Sequence, residues 1–352
     1  TLRLKSVPME PISSEKAQSA LFESDLSAPF PQLGFALHPG PMDETIREQL
    51  QAIRPDHLRV LLEMASSAWE KEFEAAQRQA RQLNPRLDLV AVLGDHPWQE
   101  VVVLVEALTG KDDLINSLSL INEPREVSQD GFLTVAEVLK KYLPNVKIGY
   151  ATDGFFADLN RNRPPLTPYD FVAFSLNPQV HATDFRTIIE NVSAQQYPLQ
   201  TIRSFGANAP DIHVSPLTLR IRGQDNSRDP RLHTEFGAAF TLLSLRYLAG
   251  VKQITYYETH GPDGLLSMGT SVTSPVYSYF QQLREFDPDR IFLPQSPQPL
   301  AWDALVVGNA AGDKGYFLIN FSSEPIRVKI FTSQQDIPLP AESITALYEP
   351  RA

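Results

Sequence analysis

The chain has 352 residues, a formal net charge of -11 and no cysteine. The composition excludes disulfides, thiolate metal sites and cysteine nucleophiles, and with no Lys/Arg run it argues against nucleic-acid or anionic-membrane partners. Hydrophobic residues at 42% suit a globular protein with a large core, and no apolar run reaches the about 20 residues needed to span a bilayer.

In chain order, strand and helix patterns alternate. Leu33–His38 reads as a first strand, followed by an amphipathic helix over Asp43–Ile53. His57–Glu63, Leu87–Leu93 and Leu118–Glu123 read as the next three strands. Helices are predicted over Trp69–Leu83, Pro97–Leu108 and Phe132–Tyr142, the last closed by Pro144. Val146–Thr152 and Phe171–Asn177 are strands five and six, with Thr187–Ala194 helical after them. Ile212–Leu219 is the seventh strand. A long apolar helix over His233–Ala249, capped by Gly250, leads to the eighth, Gln253–Thr259.

Eight strand–helix units of roughly 25 to 40 residues predict an α/β fold, a (β/α)8 TIM barrel. A doubly wound sheet would carry a Gly-rich turn after its first strand, and His38-Pro39-Gly40-Pro41 does not supply one. After Pro294 the texture changes to short strands at Ala304–Gly308, Gly315–Phe321, Ile326–Phe331 and Ile344–Tyr348. These predict a small C-terminal antiparallel β domain of sandwich type. The expected division is an N-terminal extension over 1–32, a barrel over 33–290 and the β domain over 291–352. Thr1–Val7 alternates like a strand and is expected to join the C-terminal sheet.

In a parallel barrel the chemistry sits at the carboxyl ends of the strands. Asn122-Glu123-Pro124 places a carboxylate at the tip of strand four, and Pro124 disfavours helical geometry for Glu123. Tyr256-Tyr257-Glu258-Thr259 places another at the tip of strand eight. Glu123 and Glu258 are therefore the catalytic candidates. His38, Glu63, Asp95, Asn122, Asp153, Asn177, His181 and Tyr257 stand at other strand ends as candidates for holding substrate hydroxyls. Arg59, on the face of Glu63, reads as a charge that braces the acids. No His-x-His or His-Glu-x-x-His spacing occurs, so no metal or other cofactor is expected. The expected partner is a small sugar or sugar acid. The oligomeric state is left open. Cytoplasmic location is the expectation, although Thr1 in place of Met leaves room for a removed leader.

Asn122-Glu123-Pro124 resembles the acid/base signature of the clan A retaining glycoside hydrolases, which are (β/α)8 barrels. That resemblance implies a nucleophilic Glu at the end of strand seven, whereas Glu258 falls on strand eight by the present count. A closer resemblance rests on Asn177-Pro178-Gln179-Val180-His181-Ala182, Val214-Ser215-Pro216, Asp229-Pro230-Arg231 and Thr255-Tyr256-Tyr257-Glu258-Thr259. Together these are similar to the barrel of D-apionate lactonase-type proteins over about His38–Gly264. The resemblance implies hydrolysis of a sugar-acid lactone; the roles of Glu123 as acid/base and Glu258 as base or nucleophile rest on their positions at the strand tips, not on the resemblance. A glycosidase and a non-catalytic carbohydrate-binding barrel are the alternatives.

Overall fold

The computed structural model describes residues 19–21, 24–122, 129–206, 210–219, 229–261, 264–266, 273–295, 298–330 and 336–350, the side chains at 19, 20, 122, 129, 130, 153 and 257 excepted. Two short strands, β1 (Ser19–Leu21) and β2 (Ser27–Pro29), precede the barrel. Its eight parallel strands are β3 (Gln32–Ala36), β4 (His57–Glu63), β5 (Arg86–Leu93), β6 (Ile115–Asn122), β7 (Lys147–Phe155), β8 (Phe171–Leu176), β9 (Asp211–Leu217) and β10 (Gln253–Glu258). They pair in sequence order, and β10 returns to β3 to close the cylinder. The predicted (β/α)8 barrel with a C-terminal β domain is therefore the observed fold.

The outer layer is built from α1 (Glu44–Ile53), α2 (Trp69–Leu83), α3 (Pro97–Leu108), α4 (Gln129–Tyr142), α5 (Phe156–Asn162), α6 (Phe185–Ala194), α7 (Gln196–Arg203), α8 (Glu235–Tyr247) and α9 (Pro275–Phe286). Side-chain caps set several starts. Asp43 accepts from the Ile46 amide and Asp184 from that of Thr187. The helix expected from His233 begins instead as a 3-10 turn, Pro230–His233, and continues as α8. The sequence pattern left α5, α7 and α9 unassigned. The first two are single short helices with little period to read. In α9 the run Val276-Tyr277-Ser278-Tyr279-Phe280 has strand composition, but the Ser274 cap and Pro275 at the first turn commit it to helix.

Successive strand residues point to opposite sides, so each barrel strand serves two environments. Leu58, Leu62, Leu87, Leu89, Leu118, Phe174 and Tyr256 face outward and join Ile46, Leu50, Phe73, Leu104 and Leu139 of the helices in one core. Val90, Ile121, Ala151, Phe171 and Ala173 form a separate cluster inside the cylinder. Toward the strands' amino ends the interior is polar, with His57, Asp88, Ser117, His213, Gln253 and Thr255 all buried. Two glycines make room there. A Cβ on Gly34 would lie 2.2 Å from the His57 ring, and one on Gly149 would lie 2.2 Å from that of Phe171.

Beyond the barrel come β11 (Pro288–Phe292), β12 (Trp302–Asn309), β13 (Lys314–Asn320), β14 (Ile326–Ile330), β15 (Asp336–Leu339) and β16 (Ser343–Glu349). One sheet runs β16-β13-β12-β11-β2 and a second runs β1-β14-β15. Leu21, Trp302, Val306, Tyr316, Leu318, Val328, Ile330 and Leu339 fill the space they share. Residues 1–7, expected to add a strand, lie outside the described residues. The five-stranded sheet packs on α8, whose residues from Gly237 to Arg246 are all buried. At that junction the buried Arg246 guanidinium pairs with Asp303 and donates to the carbonyls of Pro294 (2.6 Å) and Ala304 (3.1 Å).

Candidate active site

The mouth of the barrel joins its first and last strands through one contact. His38, two residues past β3, places Nδ1 3.1 Å from Oε2 of Glu258, the last residue of β10. A carboxylate can only accept, so in the neutral ring His38 Nδ1 carries the proton and Nε2 keeps its lone pair. Neither residue is closed off, since side-chain exposure is 22% for His38 and 39% for Glu258. A histidine held by a carboxylate with its second nitrogen free can take a proton from water.

The surroundings fix that imidazole. The His38 amide donates to Thr259 Oγ1 at 3.2 Å, and the Thr259 amide donates to the Ala36 carbonyl at 2.8 Å, extending the seam between the two strands. His260 is fully buried, and its ring meets that of His38 edge-on, with centroids 4.8 Å apart. Its Nε2 lies 3.1 Å from the Pro41 carbonyl, which can only accept, so Nδ1 is the acceptor for the Thr259 hydroxyl at 3.1 Å. Burial, aided by His38, pushes the His260 pKa below its ordinary value and keeps that ring neutral. A Cβ at Gly40 would stand 2.9 Å from His38 Nε2, and one at Gly261, where φ is +103°, would stand 3.0 Å from the same ring. Both glycines keep the free nitrogen accessible.

The other predicted residues divide by location. Glu63 ends β4 and Asp95 follows β5, both exposed at the rim. His181 is also exposed. Asn177 is buried and occupied within the protein, its Nδ2 donating to Thr218 Oγ1 (3.3 Å) and its Oδ1 accepting from the Gln179 amide (2.7 Å). It braces the loop after β8. Strand β7 runs three residues past Thr152, so Asp153 lies within the strand and not beyond its end. Asn122 ends β6 and Tyr257 lies in β10, and the side chains of Asn122, Asp153 and Tyr257 are among those not described. Glu123 lies outside the described residues. Arg59 is buried on the inner face of β4. Among the described residues, no three His, Asp or Glu side chains converge to hold a metal ion.

The topology settles the strand count. β6 is the fourth strand, β9 the seventh and β10 the eighth, so β6 and β10 stand on opposite walls. The seventh strand, Asp211–Leu217, has its only acid at its amino end, away from the mouth. Among the described residues directly after that strand, Thr218 and Leu219, there is no acid.

Sequence reading missed Thr259 and His260, although Glu258-Thr259-His260 is a continuous polar tip. It also treated Gln179, Asp229 and Arg231 separately. They form one network: Gln179 Nε2 donates to Asp229 Oδ2 at 2.5 Å, and Arg231 Nη2 donates to the same oxygen at 2.6 Å. The Arg231 guanidinium lies over the rings of Phe185 and Phe236 at 5.1 and 5.8 Å. Burial would raise the Asp229 carboxyl, but the hydrogen bonds from Arg231 and Gln179 hold it below the ordinary carboxylate range.

Beneath the mouth lies a second ionisable group. Asp88 accepts from Asn116 Nδ2 (2.8 Å), Ser117 Oγ (2.9 Å) and Gln253 Nε2, and His57 Nε2 lies 2.8 Å from Thr255 Oγ1 and 3.6 Å from Asp88. His213 stacks on Phe171 with ring centroids 4.0 Å apart. Burial lowers both histidines, His213 to about 4, against a partial opposing pull from Asp88. The folded state therefore holds neutral rings that the unfolded chain protonates below about 6.5. Stability should be full above that pH and fall as the pH drops toward 4, by on the order of 3 kcal/mol for His213. Urea midpoints at pH 7 and pH 5 test this. His213→Asn should shrink the difference between them, and an unchanged difference would refute the assignment.

Comparison with known proteins places this barrel. A family model described as D-apionate lactonase, TIM barrel domain, matches residues 33–288. A curated D-apionate lactonase from Brucella anthropi is 28% identical over 140 residues, which span 35% of this chain and 23% of that protein. The chain thus matches under a quarter of the curated relative's length. Among solved structures, SrfJ from Salmonella typhimurium superposes with a TM-score of 0.65 at 13% identity, covering 96% of this chain and 94% of that one. A GH30 endoxylanase from Clostridium papyrosolvens C71 superposes with a TM-score of 0.64 at 11% identity, covering 95% and 99%. These two share the fold. Among the described residues no helix is long and apolar enough to cross a membrane. With three-quarters of its length inside the matched barrel, the chain belongs to the D-apionate lactonase family.

Proposed function

We propose that this protein is a carbohydrate-active hydrolase that opens a sugar-acid lactone of the D-apionolactone type. The observation that carries the reading is the His38–Glu258 contact, which in the neutral ring leaves His38 Nε2 as the base at the mouth. His38 Nε2 takes a proton from water as the water oxygen attacks the lactone carbonyl carbon. Glu258 stabilises the imidazolium that results. The tetrahedral intermediate then expels the ring oxygen, which leaves with a proton from His38 or from Glu123, the residue that follows Asn122 in the sequence. One water is consumed and a hydroxy acid is released. Glu63 and His181, exposed beyond the strand ends, are the proposed hydroxyl partners, with Tyr257.

Support for ester over glycoside chemistry comes from the seventh strand, where no acid stands at the tip among the described residues. A retaining pair needs carboxyl groups about 5 to 5.5 Å apart, and strands four and eight lie on opposite walls. The test is a paired assay of acid release from D-apionolactone and nitrophenol release from nitrophenyl glycosides. Lactone opening without nitrophenol release is expected. Glu123→Gln should then slow the lactone reaction by roughly 10²-fold as its ring-oxygen acid is lost. Glycoside cleavage, or inertness toward both substrates, would overturn the proposal.

A further inference from the structure

Two of the outer helices are apolar on more than one side, and only one of them is covered. In α8 the residues from Gly237 to Arg246 are buried because the barrel lies on one side and the five-stranded sheet on the other. Helix α3 has comparable composition: Gln99, Glu100 and Glu106 are its only polar residues. Pro97, Val101, Leu104 and Leu108 face the barrel. Trp98 and Val102, one turn apart, are 51% and 56% exposed, and Val103 is exposed beside them. On the neighbouring α4, Val138 and Tyr142 repeat the spacing, with Tyr142 56% exposed. A helix that is hydrophobic all round is a buried helix, and a contiguous apolar ridge across two helices marks an interface.

We infer that the α3–α4 face is where two copies of this chain associate, α3 of one lying antiparallel on α4 of the other. Charge selects this occupant and this direction. Both helices follow parallel strands and run the same way, so a two-fold axis between them opposes α3 to the partner's α4. The amino end of α3 carries the exposed Asp95 just before it, while Glu100 in its first turn turns inward and accepts from the Gly94 amide at 2.7 Å. The carboxyl end of α4 is basic, with Lys140 and Lys141 in its last turn. Lys140 is held by Asp170 at 2.9 Å, whereas Lys141 lies over the Tyr142 ring at 5.7 Å, next to the apolar ridge. An antiparallel contact sets acid against base twice, Trp98 against Tyr142 twice, and opposes the helix dipoles favourably. The same sequence supplies both halves.

The chain lacks cysteine, so single thiols report the contact cleanly. Sedimentation of the wild-type chain at micromolar concentration should give a dimer. Val102→Glu combined with Tyr142→Glu should raise the dissociation constant by about 100-fold or more, with the thermal midpoint of the monomer unchanged because both positions are solvent-facing. Mixing Trp98→Cys with Tyr142→Cys chains should yield a mixed disulfide in preference to either self-linked product. A monomeric wild type, a dimer that survives the double glutamate variant, or self-linked products predominating would each overturn the inference. Lactone turnover is read alongside but decides nothing here, because this face lies outside the mouth.

Discussion

His38→Ala should lower kcat on D-apionolactone by about 10³-fold while leaving the thermal midpoint close to that of the wild type. The ring is partly exposed and contributes little apolar burial, so its loss removes chemistry more than packing. Glu258→Gln should cost roughly 10²-fold, because the amide still accepts from Nδ1 but no longer offers a charge to the imidazolium. The two effects should be less than additive, since both variants disable one unit. A full-rate His38→Ala enzyme would end the assignment, whatever the behaviour of Glu123→Gln.

The second large effect concerns stability. Asp303→Ala should destabilise the fold by about 3 to 5 kcal/mol, because it strands a buried guanidinium. Asp303 is 1% exposed as a side chain and Arg246 8%. The carboxylate also accepts from the Tyr247 hydroxyl at 2.6 Å and from the Ala304 amide at 2.8 Å, so three donors lose their acceptor together. Burial already lowers the Arg246 pKa, which measures how unfavourable an unpaired charge would be there. The double variant Arg246→Met, Asp303→Leu should recover much of the loss, since a buried pair can be replaced by apolar groups of similar volume at little cost. Denaturant unfolding distinguishes the cases. Equal losses in the single and double variants would show that the pair itself, and not the orphaned charge, sets the effect.

The two predictions bear on different halves of the architecture. The mouth depends on a narrow polar seam between β3 and β10, whereas the β sheets depend on α8 being covered from both sides. Loss of the Arg246–Asp303 pair should therefore loosen the attachment of the sheets before it disturbs the His38–Glu258 contact, which lies on the barrel itself.

The eight barrel strands were legible because each is a short, largely apolar run and most are followed by a helical period, a pattern set by local alternation. Glu258 was legible for the same reason: a carboxylate after Thr255-Tyr256-Tyr257 has to emerge where a β-strand stops. The division of labour among the polar residues was not legible. His38 and Glu258 are 220 residues apart, and only closure of β10 onto β3 brings their side chains to 3.1 Å. Asn177 looked like a substrate ligand from its place at a strand end, yet Thr218 and Gln179 already occupy it. The polar interior around Asp88 was equally hidden, since Asp88 in Arg86-Leu87-Asp88-Leu89 reads as one acid in a strand until Gln253 and Ser117 converge on it.

What the sequence determined alone is the repeating strand–helix unit and the identity of the acids at its ends, because backbone periodicity and turn chemistry act within a few residues. What the tertiary structure decided is which of those acids meets a histidine and which is spent on bracing a loop. That choice belongs to ring closure, where strand order fixes neighbours that no local pattern encodes.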